Sequence, residues 1–307
     1  MENIKNNQND KNKGSITTAA EIALLKKERK VNNAWNKFRR NKAAVIGLII
    51  ISIMIIMAVA SPVLAPHDPN FIDFTKVYKE PGTPGHLLGT DEFGRDLLSR
   101  IIYGARVSVL VALGSTLVGG IIGIILGLIS GYLGGVVDSI IMRIVDAMFA
   151  FPFILLSIIL VTILGSGLFN VILAIGITAI PSYARIVRGQ VIVVKNEEYC
   201  NAERVLGASN IRILFHHIVP NILSQVIVYA TLNFANAIIS EAGLSFLGLG
   251  ILTPTPSWGN ILRDGKACLS TYPHVATMAG IFIFVSVIGI NLFGDGIRDV
   301  MDPKMKK

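Results

Sequence analysis

Six apolar runs, each long enough to cross a lipid bilayer as an α-helix, constrain this chain more than any other feature. A spanning helix needs about 20 apolar residues, because each residue adds about 1.5 Å against a hydrocarbon core of roughly 30 Å. The runs cover residues 43–64, 107–132, 140–164, 171–194, 223–247 and 274–293. We therefore predict an all-α membrane protein with six transmembrane helices.

The charge content agrees with a membrane protein. Only 16% of the residues are charged, whereas a soluble chain usually has about 25%. The net charge of +8 could suggest nucleic acid, but that interpretation needs a basic patch on a folded soluble domain. Here the basic residues crowd the N-terminal arm and the flanks of the apolar runs, so we expect no nucleic-acid partner.

The distribution of Lys and Arg predicts the orientation, because cytoplasmic segments are enriched in these residues. Residues 1–42 hold eleven Lys and Arg residues, and the loop at 195–222 adds Lys195, Arg204 and Arg212, with Arg185 and Arg188 just before it. We therefore expect both termini in the cytoplasm. The predicted division is a cytoplasmic arm at 1–42, a first transmembrane helix at 43–64 and an extracytoplasmic loop at 65–106. A five-helix core at 107–295, which includes the 195–222 loop, and a cytoplasmic tail at 296–307 follow.

The N-terminal arm allows two interpretations. Residues 19–40 can form an amphipathic helix that lies on anionic headgroups of the membrane lipid, or they are simply a basic stretch beside the first span. The apolar run follows too long a polar segment for a cleavable signal, so we expect it to stay as an anchor.

We expect no metal site. Cys200 and Cys268 have neither zinc spacing nor a redox-pair spacing, and the predicted topology separates them across the membrane. His67 and His86 could touch a cation, but solvated loop histidines are the better interpretation. His216 and His217 are adjacent, so their rings diverge by about 100° on a helix and make a poor metal pair.

The loop at 195–222 predicts a pair of short helices with a turn between them. Asn196 is the expected cap of the first helix, and Gly207 stands where a glycine would end it. The second helix should present Ile211, Leu214, Phe215 and Ile218 on one apolar face and stop at Pro220. Such a hairpin suits docking into a groove on a cytoplasmic partner, although it could equally rest on lipid.

Five glycines follow one another at a four-residue period in the second run. A strip of this kind lets another helix backbone approach closely, and we expect the partner to be internal. The strip consists of Gly119, Gly123, Gly127, Gly131 and Gly135.

Three polar side chains lie inside the fifth run, where burial in lipid is costly. Asn233, Asn236 and Glu241 are spaced to share roughly one helix face, so they are candidates for the translocation path. Hydrogen bonding between helices is the alternative, and for the two asparagines it is preferred. In the third and fourth runs, Pro152 and Pro181 are expected to bend the helices.

The 195–222 loop resembles the "EAA" loop of ATP-binding-cassette importer permeases. The resemblance rests on Tyr199, Ala202, Gly207, Ala208, Ser209 and the run from His217 to Asn221, which includes Pro220. The sequence departs from the family pattern at Asn201, usually Glu, and at Glu203, usually Ala. In that family the loop docks into the ATPase subunit, which implies a docking role for these residues.

Three further segments resemble the second, "C-type" permease subunit of the peptide and nickel branch. They are residues 35–48, residues 86–110, and residues 240–250 followed by the Pro-Ser-Trp-Gly at 256–259. The resemblance covers nearly the whole chain after residue 33. It implies a type I importer permease fold in the cytoplasmic membrane.

The resemblance also implies partners and a function. The partners would be a second related permease in a heterodimer, two ATPase subunits that hold ATP and Mg²⁺, and an extracytoplasmic substrate-binding protein. This chain has no G-x-x-x-x-G-K-[ST] motif, so we expect it to bind no cofactor itself.

We expect import of oligopeptides or dipeptides by alternating access, without enzyme chemistry. The alternatives are a nickel permease of the same family, a membrane-embedded enzyme and a stand-alone channel.

Overall fold

The structure is a computed structural model that describes residues 35–301. Within that range it contains helices, turns and two isolated β-bridges, but no strand. Residues 35–40 are helical. The helices that follow are α1 Lys42–Val59, α2 Ser61–Leu64, α3 Leu97–Leu133, α4 Gly135–Phe149, α5 Phe153–Leu164, α6 Leu168–Val194, α7 Glu198–Val205, α8 Asn210–Ile213, α9 Val219–Phe246, α10 Trp258–Lys266 and α11 His274–Met301.

Among residues 35–301, five helices are long and apolar enough to cross a membrane, namely α1, α3, α6, the continuous helix 210–246 that ends in α9, and α11. The pair α4 and α5 gives a sixth crossing if it is counted as one span. The all-α fold with up to six crossings, predicted from the apolar runs, is confirmed.

The third run is not the single span predicted at residues 140–164. Its two helices meet at 91°, and Pro152 caps the second of them. Proline has no N–H to donate and disfavours a helical conformation in the residue before it, so the helix breaks here. The Pro152 bend was predicted, but its size was not. By contrast, α6 continues through Pro181 without a break.

The helices α3 and α11 extend beyond the predicted apolar runs. Asp96 caps α3 by accepting a hydrogen bond from the Ser99 backbone N–H at 2.8 Å, well before the run that begins at residue 107. α11 continues to Met301, past residue 293. Hydropathy detects only the part of a helix that matches the bilayer, so polar turns at helix ends escape it.

Both ends of the described chain meet at one end of the bundle. The Asn41 amide donates to the Asp299 carboxylate at 3.1 Å, and the Lys37 ammonium donates to the Asp299 carbonyl oxygen at 2.5 Å. An even number of crossings requires such an arrangement. The arm predicted as an amphipathic helix at 19–40 lies mostly outside the described residues, as does half of the tail predicted at 296–307.

The segment between α2 and α3 folds onto the other end of the bundle. Asp91 accepts hydrogen bonds from the Arg95 backbone and guanidinium, and its carboxylate lies 3.4 Å from the Arg100 side chain. Arg95 in turn reaches Asp264 of α10 at 3.8 Å. These buried pairs fix the segment 65–96 and α10 together. We call this end of the bundle the loop end.

The connection from α9 to α10 is built by the Pro-Ser-Trp-Gly motif. Ser257 caps α10, and the buried Trp258 indole donates to the Ile101 carbonyl oxygen of α3 at 2.9 Å. Gly104 lies directly against that indole ring, where a Cβ would approach it to 2.8 Å. The motif therefore locks α10 onto the start of α3.

Candidate functional site

The segment from α7 to residue 218 forms a helical hairpin at the end of the bundle opposite the loop end. We call it the coupling hairpin and that end of the bundle the hairpin end. α7 ends in a Schellman motif: the Gly207 N–H donates to the Arg204 carbonyl, and the Ala208 N–H to the Glu203 carbonyl. Gly207 has a φ of +82°, which glycine adopts without the steric cost of a Cβ.

The first helix of the coupling hairpin is not capped as predicted. Glu197 is the cap residue, without a side-chain hydrogen bond, while the Asn196 amide donates back to the Ile192 carbonyl at 2.9 Å. Asn196 therefore belongs to the end of α6. The acidic first turn at Glu198 is present, as expected for the positive end of a helix.

The second arm of the coupling hairpin is continuous with the fifth span. Ser209 caps α8 by accepting from the Arg212 backbone N–H at 3.3 Å. A π-helical turn, Leu214–Ile218, then leads directly into α9. The prediction that Pro220 stops this helix is wrong, because the helix continues from residue 210 to residue 246, with Pro220 directly after the π-helical turn.

A buried apolar cluster attaches the coupling hairpin to the bundle. Cys200 of α7 and Ile213 and Ile218 of the second arm are fully buried. They pack with residues of three long helices, namely Leu128, Val187, Val191, Ile222 and Val226. Burial raises the pKa of the Cys200 thiol, so it stays protonated at neutral pH and acts as a packed apolar side chain.

Polar contacts reinforce this attachment. The Asn221 amide donates to the Tyr199 hydroxyl at 3.2 Å, and Glu203 lies 3.4 Å from the His217 ring. The Tyr132 hydroxyl at the end of α3 donates to Asn210 at 2.8 Å. Glu203, one of the two departures from the family pattern, thus pairs within the hairpin. The other, Asn201, accepts from the Arg204 guanidinium at 3.1 Å.

The tip of the coupling hairpin exposes large apolar side chains. Val205 is 88% exposed, Leu206 81%, Ile211 72% and Phe215 63%. The apolar face predicted for the second arm is therefore split: Ile218 is buried in the cluster, while Ile211 and Phe215 point outward. The π-helical turn changes the angular spacing between residues, which is why a regular helical period misplaced them.

Sequence reasoning also missed Val205 and the exposure of Leu206. Two successive apolar residues directly before a helix-ending glycine were the available signal. Of the other residues taken from the family motif, Ala202, Asn201 and Pro220 are exposed, and Ala208 is half-buried beneath the turn.

The three polar residues of the fifth span do not share one face. Asn233 is buried, and its amide donates to the Thr116 hydroxyl of α3 at 3.2 Å. Glu241 is fully buried and accepts from the Ser245 hydroxyl at 2.8 Å and from Ser108 at 3.4 Å. Asn236 alone is exposed. The alternative given above, hydrogen bonding between helices, describes Asn233.

The glycine strip packs against α6. A Cβ on Gly119 would lie 2.7 Å from the Gly176 carbonyl oxygen, and one on Gly127 would lie 2.7 Å from that of Ala184. Gly123 and Gly131 are equally close to α6. Gly135 is not part of the strip: it follows the turn after α3, with a φ of +56° and open space around it.

An ion pair also holds the bent span to α6. The Arg188 guanidinium binds the Asp138 carboxylate through two nitrogens at 2.6 and 2.7 Å. Further along, Asp146 pairs with Arg185 at 2.7 Å. The ion pairs hold α4 against α6, and the glycine strip holds α3 against the same helix, to which the coupling hairpin is also attached.

Two families match the chain. Residues 123–307 match the binding-protein-dependent transport system inner membrane component family. Residues 31–81 match the N-terminal transmembrane domain of oligopeptide transport permease C.

Curated proteins resemble the chain over most of its length. It is 43% identical to the di/tripeptide transport system permease protein DppC of Pseudomonas aeruginosa, over 89% of this chain and 91% of that protein. It is 41% identical to the glutathione transport system permease protein GsiD of Escherichia coli, over 89% of this chain and 90% of that protein.

The fold is also found among solved structures. A chain of the MetNI methionine ABC transporter, in an inward-facing conformation, superposes with a TM-score of 0.55 at 20% sequence identity. The match covers 67% of this chain and 98% of that one. It supports the helical architecture described above.

Proposed function

Because this chain belongs to the family of binding-protein-dependent transport system inner membrane components, we propose that it moves short peptides inward by alternating access. It is a multi-pass membrane permease of a peptide-family ABC importer, and not an enzyme. The relatives named above are permeases for di- and tripeptides and for glutathione, itself a short peptide, and they support peptides over nickel as the substrate class.

The observation that carries the proposal is the apolar tip of the coupling hairpin. An exposed apolar patch on a membrane protein, outside the lipid, marks a contact surface. The short helices around Gly207 present Val205, Leu206, Ile211 and Phe215, as a helix does when it docks in a groove. We propose that the ATPase subunit provides this groove. ATP and Mg²⁺ would bind to the ATPase subunits and not to this chain.

The continuity of the second arm supports a mechanical role for the hairpin. Residues 210–246 form one continuous helix, so a force applied at the tip reaches the fifth span without a flexible joint. The buried cluster around Cys200, Ile213 and Ile218 packs the end of α6 against this helix, so that the two helices would move together. Closure of the ATPase pair would then tilt these helices and change the side of the membrane to which the path opens.

Among the polar residues of the fifth span, Asn236 is the best candidate for the path. Its side chain is exposed on α9, next to the apolar surface formed by Ile239, Gly243 and Phe246. An exposed amide at this depth can exchange hydrogen bonds with a peptide backbone. Asn233 and Glu241 would lie behind the path and stabilise the helices that form it. Asn233 bonds to α3, and Glu241 bonds both to α3 and within α9.

The remaining partners follow from the family and from the open faces of the molecule. ATPase subunits and a substrate-binding protein belong to such a transporter. We propose a heterodimer with a second related permease, two ATPase subunits, and a binding protein that contacts the loop end on the extracytoplasmic side. The basic residues of the arm and of the 195–222 loop support a cytoplasmic hairpin end.

Substitution of Gly207 tests the docking role. A Cβ at Gly207 would meet no atom within 4 Å, so a side chain would not clash with its neighbours. Gly207→Arg would act instead by straining the positive φ of the turn and by placing a charge beside the apolar tip. We expect peptide uptake and co-purification of the ATPase to be lost, while the permease still assembles in the membrane. Gly207→Asn should keep most activity, because asparagine tolerates this backbone conformation.

Gly85→Arg is a matched control. Gly85 has a φ of +84° and the same open surroundings, but it lies in the segment between α2 and α3 at the loop end. The ATPase should remain bound in this variant. Full uptake by Gly207→Arg, or equal loss of the ATPase in both arginine variants, would overturn the docking role of the hairpin.

A further inference from the structure

At the loop end, two histidines and one aspartate converge in a way that peptide transport does not require. The potential ligand atoms of His67, His86 and Asp96 all lie within 4.8 Å of one another. The expectation that these histidines are solvated is wrong for His86, which is 6% exposed. His67 is 40% exposed, and Asp96 is 2% exposed.

The separations between the donor atoms suit a single small ion. His86 Nδ1 lies 2.9 Å from Asp96 Oδ1, and His67 Nδ1 lies 3.8 Å from Asp96 Oδ2. Ligands at about 2.0–2.1 Å from a tetrahedral zinc ion are separated by about 3.3 Å. The two imidazole rings stack with centroids 5.0 Å apart, so both present an edge to the same carboxylate.

The backbone around the cluster holds these side chains in place. Asp96 caps α3, and its Oδ2 accepts from both the backbone N–H and the hydroxyl of Ser99. The same Ser99 hydroxyl oxygen accepts from the His67 backbone N–H at 3.0 Å. Ser99 therefore fixes the carboxylate and the His67 backbone together. Metal sites use outer partners of this kind to orient their ligands.

The tautomer of His86 can change to suit a metal, by moving the proton from Nδ1, which contacts Asp96 Oδ1, to Nε2. Its Nε2 is buried and has no hydrogen-bond partner among residues 35–301. No neighbour in the described chain therefore requires Nε2 to accept or donate. The ring can carry its proton at Nε2 while Nδ1 offers a lone pair to an ion.

We propose that His67, His86 and Asp96 bind a divalent transition-metal ion of the zinc class. Two imidazoles and one carboxylate are a ligand set that zinc uses when it keeps one position open. His67 also lines a cavity of about 460 Å³ together with Pro66, Asp68 and Tyr103, so an ion has access from the surface. Bound there, the ion joins residue 67, the segment before α3 and the first turn of α3.

Cobalt titration of the assembled transporter, purified without a histidine tag, tests the site. Co²⁺ is the probe because its visible absorption reports tetrahedral nitrogen and oxygen ligands, and Zn²⁺ should displace it. We expect one ion per permease. His67→Ala and Asp96→Asn should each weaken binding at least about tenfold, since loss of even an outer partner costs that much.

Asp96→Asn and His274→Gln separate ligation from folding. Asparagine is as good a helix cap as aspartate, so α3 keeps its first turn while the site loses its anionic ligand. His274→Gln removes another histidine of the loop end that is not part of the cluster, and it should leave the affinity unchanged. Absence of a stoichiometric ion in the parent protein, or affinity indifferent to both site variants, would show that the three residues only fasten the loop.

Discussion

Glu92 shows at the scale of one residue how the loop end balances charge. It is partly buried beside Asp91 and Asp264, and Arg95 and Arg263 offset their repulsion only in part. Desolvation is the largest cause, and together with the two aspartates it raises the Glu92 pKa above its usual value.

A carboxyl pKa that is raised by folding makes the folded state less stable as the pH rises. The folded state holds the Glu92 proton more tightly than the unfolded chain, so stability is highest below the usual pKa and falls as pH rises through the folded pKa. We predict that Glu92→Gln raises the thermal unfolding temperature of the purified permease at pH 7. The gain should disappear near pH 4, where Glu92 itself is protonated. An equal gain at both pH values would contradict this explanation.

At the scale of helices, the close packing of α3 on α6 depends on glycines, which have no side chain to separate the two backbones. The strip was found from its four-residue period alone, and four of its five members lie against α6. Gly135 was included because the period continues past the end of the helix. A sequence period cannot show where the chain turns, so the structure was needed to exclude it.

Alanine substitutions distinguish packing from helix propensity. At Gly127, an added Cβ would meet the Val187 side chain at 2.7 Å as well as the Ala184 carbonyl oxygen. We predict that Gly127→Ala destabilises the permease by about 1–3 kcal/mol. Gly189 is the matched control in α6, because its Cβ position is open, and Gly189→Ala should be neutral or stabilising by up to about 1 kcal/mol. Calorimetry of the purified permease gives both values.

The coupling hairpin shows which features can be predicted from local sequence patterns and which cannot. The glycine turn was predictable because a C-terminal glycine has a fixed geometric role. The buried side of the hairpin was not, because it depends on the π-helical turn and on α3 and α6, which are distant in sequence. The same limit applies to Glu241, whose partner Ser108 comes from another helix.

For the whole molecule, the sequence predicted the all-α architecture, five of the six spans in their order, and the family, since bilayer thickness and long motifs constrain them. It did not predict the 91° bend or the ordered segment before α3. That segment is held by ion pairs such as Arg95 with Asp264 and by the His86 contact with Asp96. Such pairings depend on the tertiary fold, and no spacing along the chain encodes them.

The central claim is that the tip of the coupling hairpin lies in the cytoplasm and docks on the ATPase. It can be tested by placing a photo-reactive amino acid at Val205, which is 88% exposed, and irradiating cells that contain the whole transporter. We predict a cross-link to the ATPase subunit and none to the extracytoplasmic binding protein. A cross-link to the binding protein, or none to the ATPase in a transporter that still imports peptide, would contradict the account.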